Sequence, residues 1–230
     1  MTTVGVIGAL SEEVRQLIKS LSNIKEERVG SITFFEGEMY DKRVVVARCG
    51  VGKVFAAMCA EAMIIKYKPD LIVNTGVGGA LSGELRPLDT VVAERLVQHD
   101  MDTSALGDPK GMISGINLVY FETDRRAREI LLSLGGELSS SVRLGTVASG
   151  DRFVSSSEDK AAIVAEFSAD VCEMEGAAIA QVAYANATPC IVIRAISDSA
   201  DGSSSMDYLE FMPIAAKNSS RLTECLIREY

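Results

Sequence analysis

Two periods of apolar spacing alternate along the chain. Thr3 to Gly8 (TVGVIG) is a short β-rich run, and Ser11-Glu12-Glu13 then precedes Val14, Leu17 and Ile18 at helical spacing, which predicts strand, turn and capped helix. Ile32 to Tyr40 and Arg43 to Cys49 flank Asp41-Lys42 as the arms of a hairpin. GVGKVFAAMCAEAMIIKY (50–67) reads as a glycine turn opening a helix, and Pro69-Asp70 introduces the buried strand LIVNTG (71–76). Asp89 to Gln98 is a long strand, 99–117 a loop, Thr123 to Leu134 a helix and Val142 to Ala148 a strand. Helices at Glu158 to Phe167 and Glu175 to Asn186 enclose a strand at Ala169 to Glu173; Cys190 to Ile196 is an all-apolar strand, and an amphipathic helix runs from about Met206 to the end. Such alternation implies an α/β fold with a mostly parallel or mixed sheet and helices on both faces.

Composition narrows the class. With 230 residues, 47% of them hydrophobic, and no linker rich in Pro, Gly or Ser, one domain over 1–230 is expected. The longest apolar runs fall far short of the ~20 residues of a membrane span, and no basic region followed by an apolar stretch opens the chain, so a soluble, cytoplasmic protein with no membrane partner is expected. The net charge of -9, with Lys and Arg dispersed, excludes a phosphate-tracking surface for nucleic acid. Five cysteines without CxxC spacing read as buried reduced thiols. The single histidine, His99, rules out the usual zinc constellations and the Ser-His-Asp and Cys-His triads, so carboxylates, arginine and backbone groups must carry any chemistry.

Ligands of open α/β sheets gather beyond the carboxyl ends of the strands. Those ends carry Gly8-Ala9-Leu10, Asn74-Thr75-Gly76, Ser149-Gly150-Asp151, Glu173-Met174-Glu175 and Ser197-Asp198. Neither a dinucleotide fingerprint nor a P-loop is present: Phe55 and Leu81 stand where a third glycine belongs, and Gly52-Lys53 is followed by Val54 with no glycine at 47. The glycines fit either close approach of backbone to a ligand or tight strand-to-helix turns. Glu13 and Glu175, each at a helix start, read singly as first-turn acids. Grouped with Asp198 at the exit of an apolar strand, they suit glycoside cleavage: one group donates a proton, another takes one from water, and a third steadies a sugar cation.

Six blocks in order, VIGALSEEV (6–14), NTGVGGAL (74–81), QHDMD (98–102), SGDRFV (149–154), EMEGAAIA (173–180) and RAISDSAD (194–201), resemble the 5'-methylthioadenosine/S-adenosylhomocysteine nucleosidase family over essentially the whole chain. The resemblance implies a nucleoside phosphorylase type fold, a three-layer α/β/α sandwich around a mixed central sheet, usually a homodimer. It also implies hydrolysis of the N-glycosidic bond of adenine thionucleosides to adenine and a thioribose, as in methionine salvage, with no metal or organic cofactor. Glu13 then matches the base that activates water, with Arg194 nearby to help order it, and Asp198 the acid at adenine N7, supported by Ser197. Glu175 matches the carboxylate on the ribose hydroxyls, and Met174 lies against the sugar. Phe153 stacks on the purine, the Val154 backbone reads its edge, and Gly79 joins the substrate-binding set. The family places Glu173 near the ribose too, although a strand-end acid bonded to backbone fits equally well. Leu10, Val51 and Tyr208 line the 5' alkylthio pocket, which Thr103 and Leu106 complete from the partner subunit. Tyr208 replaces a frequent Phe and Leu106 a frequent aromatic, Val77 stands where some members carry serine, and the loop 107–117 lacks the expected tyrosine.

Elementary chemistry agrees. Adenine leaves poorly as an anion, so N7 must gain a proton or a strong hydrogen bond, and a carboxyl raised by burial supplies one; Asp198 follows an apolar strand. An anionic Glu175, kept ionised by its helix N-terminus, favours the oxocarbenium-like sugar. His99 is expected to be structural or interfacial, fixed by Asp100 or Asp102. Two alternatives stand beside hydrolysis: phosphorolysis on the same fold, which a carboxylate at position 13 opposes by repelling phosphate, and non-catalytic purine-nucleoside binding, which gives Glu13 no task. Methylthioadenosine, S-adenosylhomocysteine, 5'-deoxyadenosine and futalosine-type nucleosides remain open as substrates.

Overall fold

The computed structural model describes residues 1–137, 141–201 and 204–230. A 10-stranded mixed sheet forms the centre, with helices on both faces. Its strands are β1 (Thr3–Gly8), β2 (Ser22–Val29), β3 (Ile32–Met39), β4 (Lys42–Arg48), β5 (Leu71–Ala80), β6 (Thr90–Gln98), β7 (Phe121–Glu122), β8 (Val142–Ser149), β9 (Val171–Glu173) and β10 (Cys190–Asp198). The helices are α1 (Ser11–Ser20), α2 (Lys53–Tyr67), α3 (Arg125–Ser133), α4 (Ser157–Phe167), α5 (Gly176–Ala185) and α6 (Ser204–Glu229). Strand order is β10-β6-β8-β9-β5-β1-β4-β3-β2, with β7 on β6.

This is the expected three-layer α/β/α sandwich around a mixed sheet, with one added feature. β10 also pairs with β5 in parallel, so the run β5-β9-β8-β6-β10 closes on itself while β1, β4, β3 and β2 extend as a wing. The closed part explains the apolar runs that open these strands: every residue of β10 is buried, Arg194 included, and so are nine of the ten in β5. β5 runs through Gly76-Val77-Gly78-Gly79, which resembles a turn in sequence, because β10 pairs along it and β9 pairs with Gly79 and Ala80. β2 (SNIKEERV) carries no apolar alternation, since it is an edge strand with nearly every residue exposed. Charged side chains there discourage edge-to-edge pairing.

The core divides across the sheet. Ile7, Phe34, Cys59, Met63, Ile72 and Val192 pack under α2 and α5 on one face, and Val6, Leu17, Val73, Ile193, Leu222 and Leu226 under α1 and α6 on the other. No helix among the described residues is long and apolar enough to cross a membrane.

Candidate active site

The carboxyl ends of β1, β5, β9 and β10 meet at one cavity, whose wall includes Glu13, Glu173, Glu175, Ser197 and Asp198. All five are buried, at 1 to 8% exposure. Acids this deep need either partners or a task.

Glu13 has partners. Its Oε2 accepts hydrogen bonds from the Ala9 and Leu10 amides at 2.7 and 2.9 Å, and its Oε1 from the Val77 amide at 3.1 Å. Its own carbonyl accepts from the Ser220 hydroxyl at 2.6 Å, which anchors the first turn of α1 to α6. Burial pushes its carboxyl above the ordinary value, against the pull of Arg194 and the backbone donors. A carboxylate raised in this way is a better base. Gly76 makes room for it, since a Cβ there would lie 2.6 Å from Oε1.

Glu173 is the strand-end acid bonded to backbone that one of its two readings expects, while the helix contact expected of Glu175 is not made. β9 ends at Glu173 and α5 begins at Gly176, so the strand does end between the two acids. It is Glu173, however, that takes the helix N-terminus, accepting from the amides of Glu175 at 3.0 Å and Gly176 at 2.8 Å. Ser149 and Arg194 complete its shell, and those donors hold its carboxyl below the ordinary range against the opposing effect of burial. Glu175 receives the Gly52 amide at 2.8 Å, and the Arg194 guanidinium is 4.0 Å away. Burial first, and then the charge of Glu173, push Glu175 up to about 8, so it keeps its proton at neutral pH rather than being ionised by the helix. Gly52 adopts φ +101° in this approach, a conformation that disfavours any side chain.

Arg194 lies behind these acids rather than on the cavity wall. Fully buried, it donates to Glu173, to the Asn74 side chain and to the Ile193 carbonyl. It holds the carboxylates in place, and Glu13 feels it through charge.

Asp198 owes its aim to a β-bulge. β10 pairs Ile196 with Gly78 and Asp198 with Gly79, which leaves Ser197 as the extra residue. The Ser197 hydroxyl donates to Asp198 Oδ2 at 2.8 Å, and the Ala200 amide to Oδ1 at 2.9 Å. Gly79 lies beside it, where a Cβ would come within 2.9 Å of Oδ1.

The remaining predicted residues divide into two groups. Phe153, Val154, Met174, Leu10, Val51 and Tyr208 line the same cavity, and Phe153 meets Tyr208 edge-on with ring centroids 5.6 Å apart. Thr103 and Leu106 do not line it; Thr103 precedes a short 3-10 turn (Ser104–Leu106) that Leu106, 83% exposed, closes. His99 is not hydrogen-bonded to either proposed aspartate. Asp100 pairs with Lys53 at 2.5 Å, Asp102 accepts from the Ser104 amide, and His99 Nε2 is buried without a hydrogen-bond partner among the described residues. Among the described residues no cluster of three His, Cys, Asp or Glu side chains could hold a metal ion.

Sequence reasoning passed over several supports. Arg152 and Cys172 also line the cavity. Asn74 ties Arg194 to the Ile7 carbonyl, and the Ser219 hydroxyl bonds Thr75 and the Gly76 amide. A signal for the last was present: Ser219 and Ser220 fall on the buried face of the amphipathic α6, where serine requires a partner.

Comparison with known proteins fits this geometry. The family model described as the phosphorylase superfamily matches residues 3–228. The 5'-methylthioadenosine/S-adenosylhomocysteine nucleosidase of Haemophilus influenzae is 38% identical over 220 residues, covering 95% of this chain and 96% of its own. The aminodeoxyfutalosine nucleosidase of Campylobacter jejuni is 34% identical, with 96% of each chain covered. Among solved structures, the 5'-methylthioadenosine/S-adenosylhomocysteine nucleosidase of Neisseria meningitidis in complex with methylthio-immucillin-A superposes with a TM-score of 0.97 at 35% identity, covering 100% of both chains. The chain therefore belongs to the phosphorylase superfamily, in the family of the 5'-methylthioadenosine/S-adenosylhomocysteine nucleosidases.

Proposed function

We propose that this protein hydrolyses the N-glycosidic bond of 5'-substituted adenine nucleosides, 5'-methylthioadenosine and S-adenosylhomocysteine among them, to adenine and the thioribose. The observation that carries the reading is that Glu13, Glu175 and Asp198 line one cavity. Glu13 takes a proton from a water molecule whose oxygen attacks the anomeric carbon. The bond to N9 breaks, its electron pair passes to the purine, and Asp198 supplies a proton or strong hydrogen bond at N7, so that the base leaves neutral. Glu175 holds the ribose hydroxyls, and the sugar cation draws it towards its ionised form. Ser197 orients Asp198, Arg194 fixes the glutamates, Phe153 and Val154 take the purine, and Leu10, Val51 and Tyr208 take the 5' group beside Met174.

A homodimer suits the surface. Val51, Val54, Phe55, Met58 and Ile65 expose apolar side chains on and before α2, and Leu106 does so on its own loop. A second copy covering this stripe would bring its own Thr103 and Leu106 to the 5' side of the cavity. Five free cysteines suit a reducing cytoplasm, and methionine salvage is the process that such a reaction serves.

Two variants test the reading. Glu13→Gln is expected to bind substrate with little change while losing about 10³-fold in kcat, the size of a general-base contribution; unchanged turnover removes Glu13 from the mechanism. Asp198→Asn is expected to lower kcat as well, and a change confined to KM contradicts the acid role.

A further inference from the structure

No residue of the block QHDMD (98–102) lines the catalytic cavity, yet the residues Gln98, His99 and Asp100 at the end of β6 brace two loops that do. The first loop (50–53) opens α2. Its Gly52 amide donates to Glu175 at 2.8 Å, and the next amide, that of Lys53, donates to Asp151 Oδ1 at 2.8 Å. The second loop (150–154) follows β8 and carries Phe153 and Val154 to the cavity. Asp151 therefore caps α2 from outside, because Gly52 at the N-cap has no side chain with which to do so. The Asp151 amide in turn donates to Asp100 Oδ2 at 2.9 Å, and Lys53 Nζ donates to Asp100 Oδ1 at 2.5 Å and to Gln98 Oε1 at 3.1 Å. Lys53, Asp151 and Asp100 thus form a closed ring of hydrogen bonds between the two loops. His99 packs behind the ring: its amide donates to the Ser149 carbonyl at 2.9 Å, and a Cβ on Gly150 would overlap its imidazole.

We propose that Lys53, Asp100 and Asp151 are positioning residues, a clamp that fixes the spacing between the loop that takes the purine and the carboxylate that takes the ribose. The inference rests on the nucleosidase reading and deepens it. Asp151 stands two residues before Phe153, and Lys53 directly follows the glycine that holds Glu175, so one ring governs both halves of the nucleoside. The anomeric carbon lies between those halves, and their spacing sets where it stands relative to the water at Glu13. Stacking on the base and contact with the ribose hydroxyls each survive if the clamp opens; their registration does not. A shift of about 1 Å in such registration costs about 10²-fold in rate. The Lys53–Asp100 pair is partly buried, so salt screens it less than a fully exposed pair.

The test measures adenine release from 5'-methylthioadenosine, and competitive inhibition by free adenine, for wild type, Asp151→Ala, Asp151→Asn, Lys53→Met, Asp100→Asn and the double variant of the last two. Asp151→Ala is expected to lower kcat about 10²-fold while KM and the adenine inhibition constant change less than about threefold, because Phe153 still stacks on the isolated base. Asp151→Asn keeps an acceptor oxygen for the Lys53 amide and is expected to recover about tenfold of that loss. Lys53→Met and Asp100→Asn weaken the same ion pair, so each is expected to lower kcat about fivefold and the double variant no more than the larger single. Unchanged kcat in Asp151→Ala, a loss of adenine affinity as large as the loss of kcat, or single effects that multiply in the double variant overturns the clamp. Should Asp151→Ala not fold, the Lys53 and Asp100 variants decide by the same criteria. A wild-type enzyme that releases no adenine overturns the nucleosidase reading instead, a distinguishable failure.

Discussion

The closed part of the sheet and its open wing solve opposite problems. At the rim formed by β5, β9, β10 and the start of α1 polar groups are buried and answered: Glu173 by Arg194 and two amides, Glu13 by three amides, Asn74 by a carbonyl and a guanidinium. In β2 polar groups face water and need no answer. Closure of β10 onto β5 creates a dry rim where a carboxylate costs free energy unless bonded, and where the same carboxylate shifts its proton affinity into a useful range. The outer strands of the wing, β2 and β3, protect an edge and line no part of the cavity, whereas β1 leads into Ala9, Leu10 and Glu13 on its wall. Function in this molecule therefore resides where the closed part of the sheet meets β1.

That contrast can be broken most severely at Arg194. Replacing it by methionine strands Glu173 as an uncompensated buried charge, and a loss of about 3–5 kcal/mol in unfolding free energy is expected by denaturant titration. Replacing Glu173 by Gln strands the Arg194 cation instead, but Glu175, 4.0 Å away and freed from the charge that raises it, is available to ionise in its place, so the cost should be smaller.

Next in size is Gly76→Ala. The added methyl would crowd Glu13 Oε1, so kcat should fall about 10²-fold, as small misplacements of catalytic groups do, with folding largely retained. Unchanged turnover would show that Glu13 needs no fixed position.

Glu175 sharpens the contrast through pH. Its proton is held up to about 8 in the folded chain against an ordinary 4.5, so between those values the unfolded state has released a proton that the folded state keeps. The stability tied to that proton is complete below about 4.5 and is lost as pH rises through about 8. Melting temperature should therefore decline across this window, and Glu175→Gln should flatten the decline. A wild-type curve as flat as that of the variant contradicts the burial argument.

At the small end lies the wing. Lys25→Thr on the exposed face of β2 should change stability by less than about 0.5 kcal/mol and leave activity untouched.

The same contrast explains what could be read from sequence. β1, β5 and β10 were legible because burial on both faces writes a run of apolar residues without alternation, such as Leu71 to Val73 and Cys190 to Ile193, and the acids beyond such runs were legible because nothing in a core needs them. β2 was not, since an edge strand with both faces wet has no period to detect. The extension of β5 through glycines depended on pairing with β9 and β10, which no local pattern records. Glu173 and Glu175 were both visible, but which one takes the helix end was decided by Arg194, reaching over from β10. His99 was assigned an aspartate partner by proximity in sequence, whereas Lys53 and the Ser104 amide occupy both candidates.

The central claim is that water is the nucleophile because Glu13 occupies the place where it must be activated. Product analysis with and without phosphate tests it most directly. Adenine release is expected to proceed at the same rate in both buffers, with free 5-alkylthioribose as the sugar product. A requirement for phosphate, with the sugar recovered as its 1-phosphate, would contradict it.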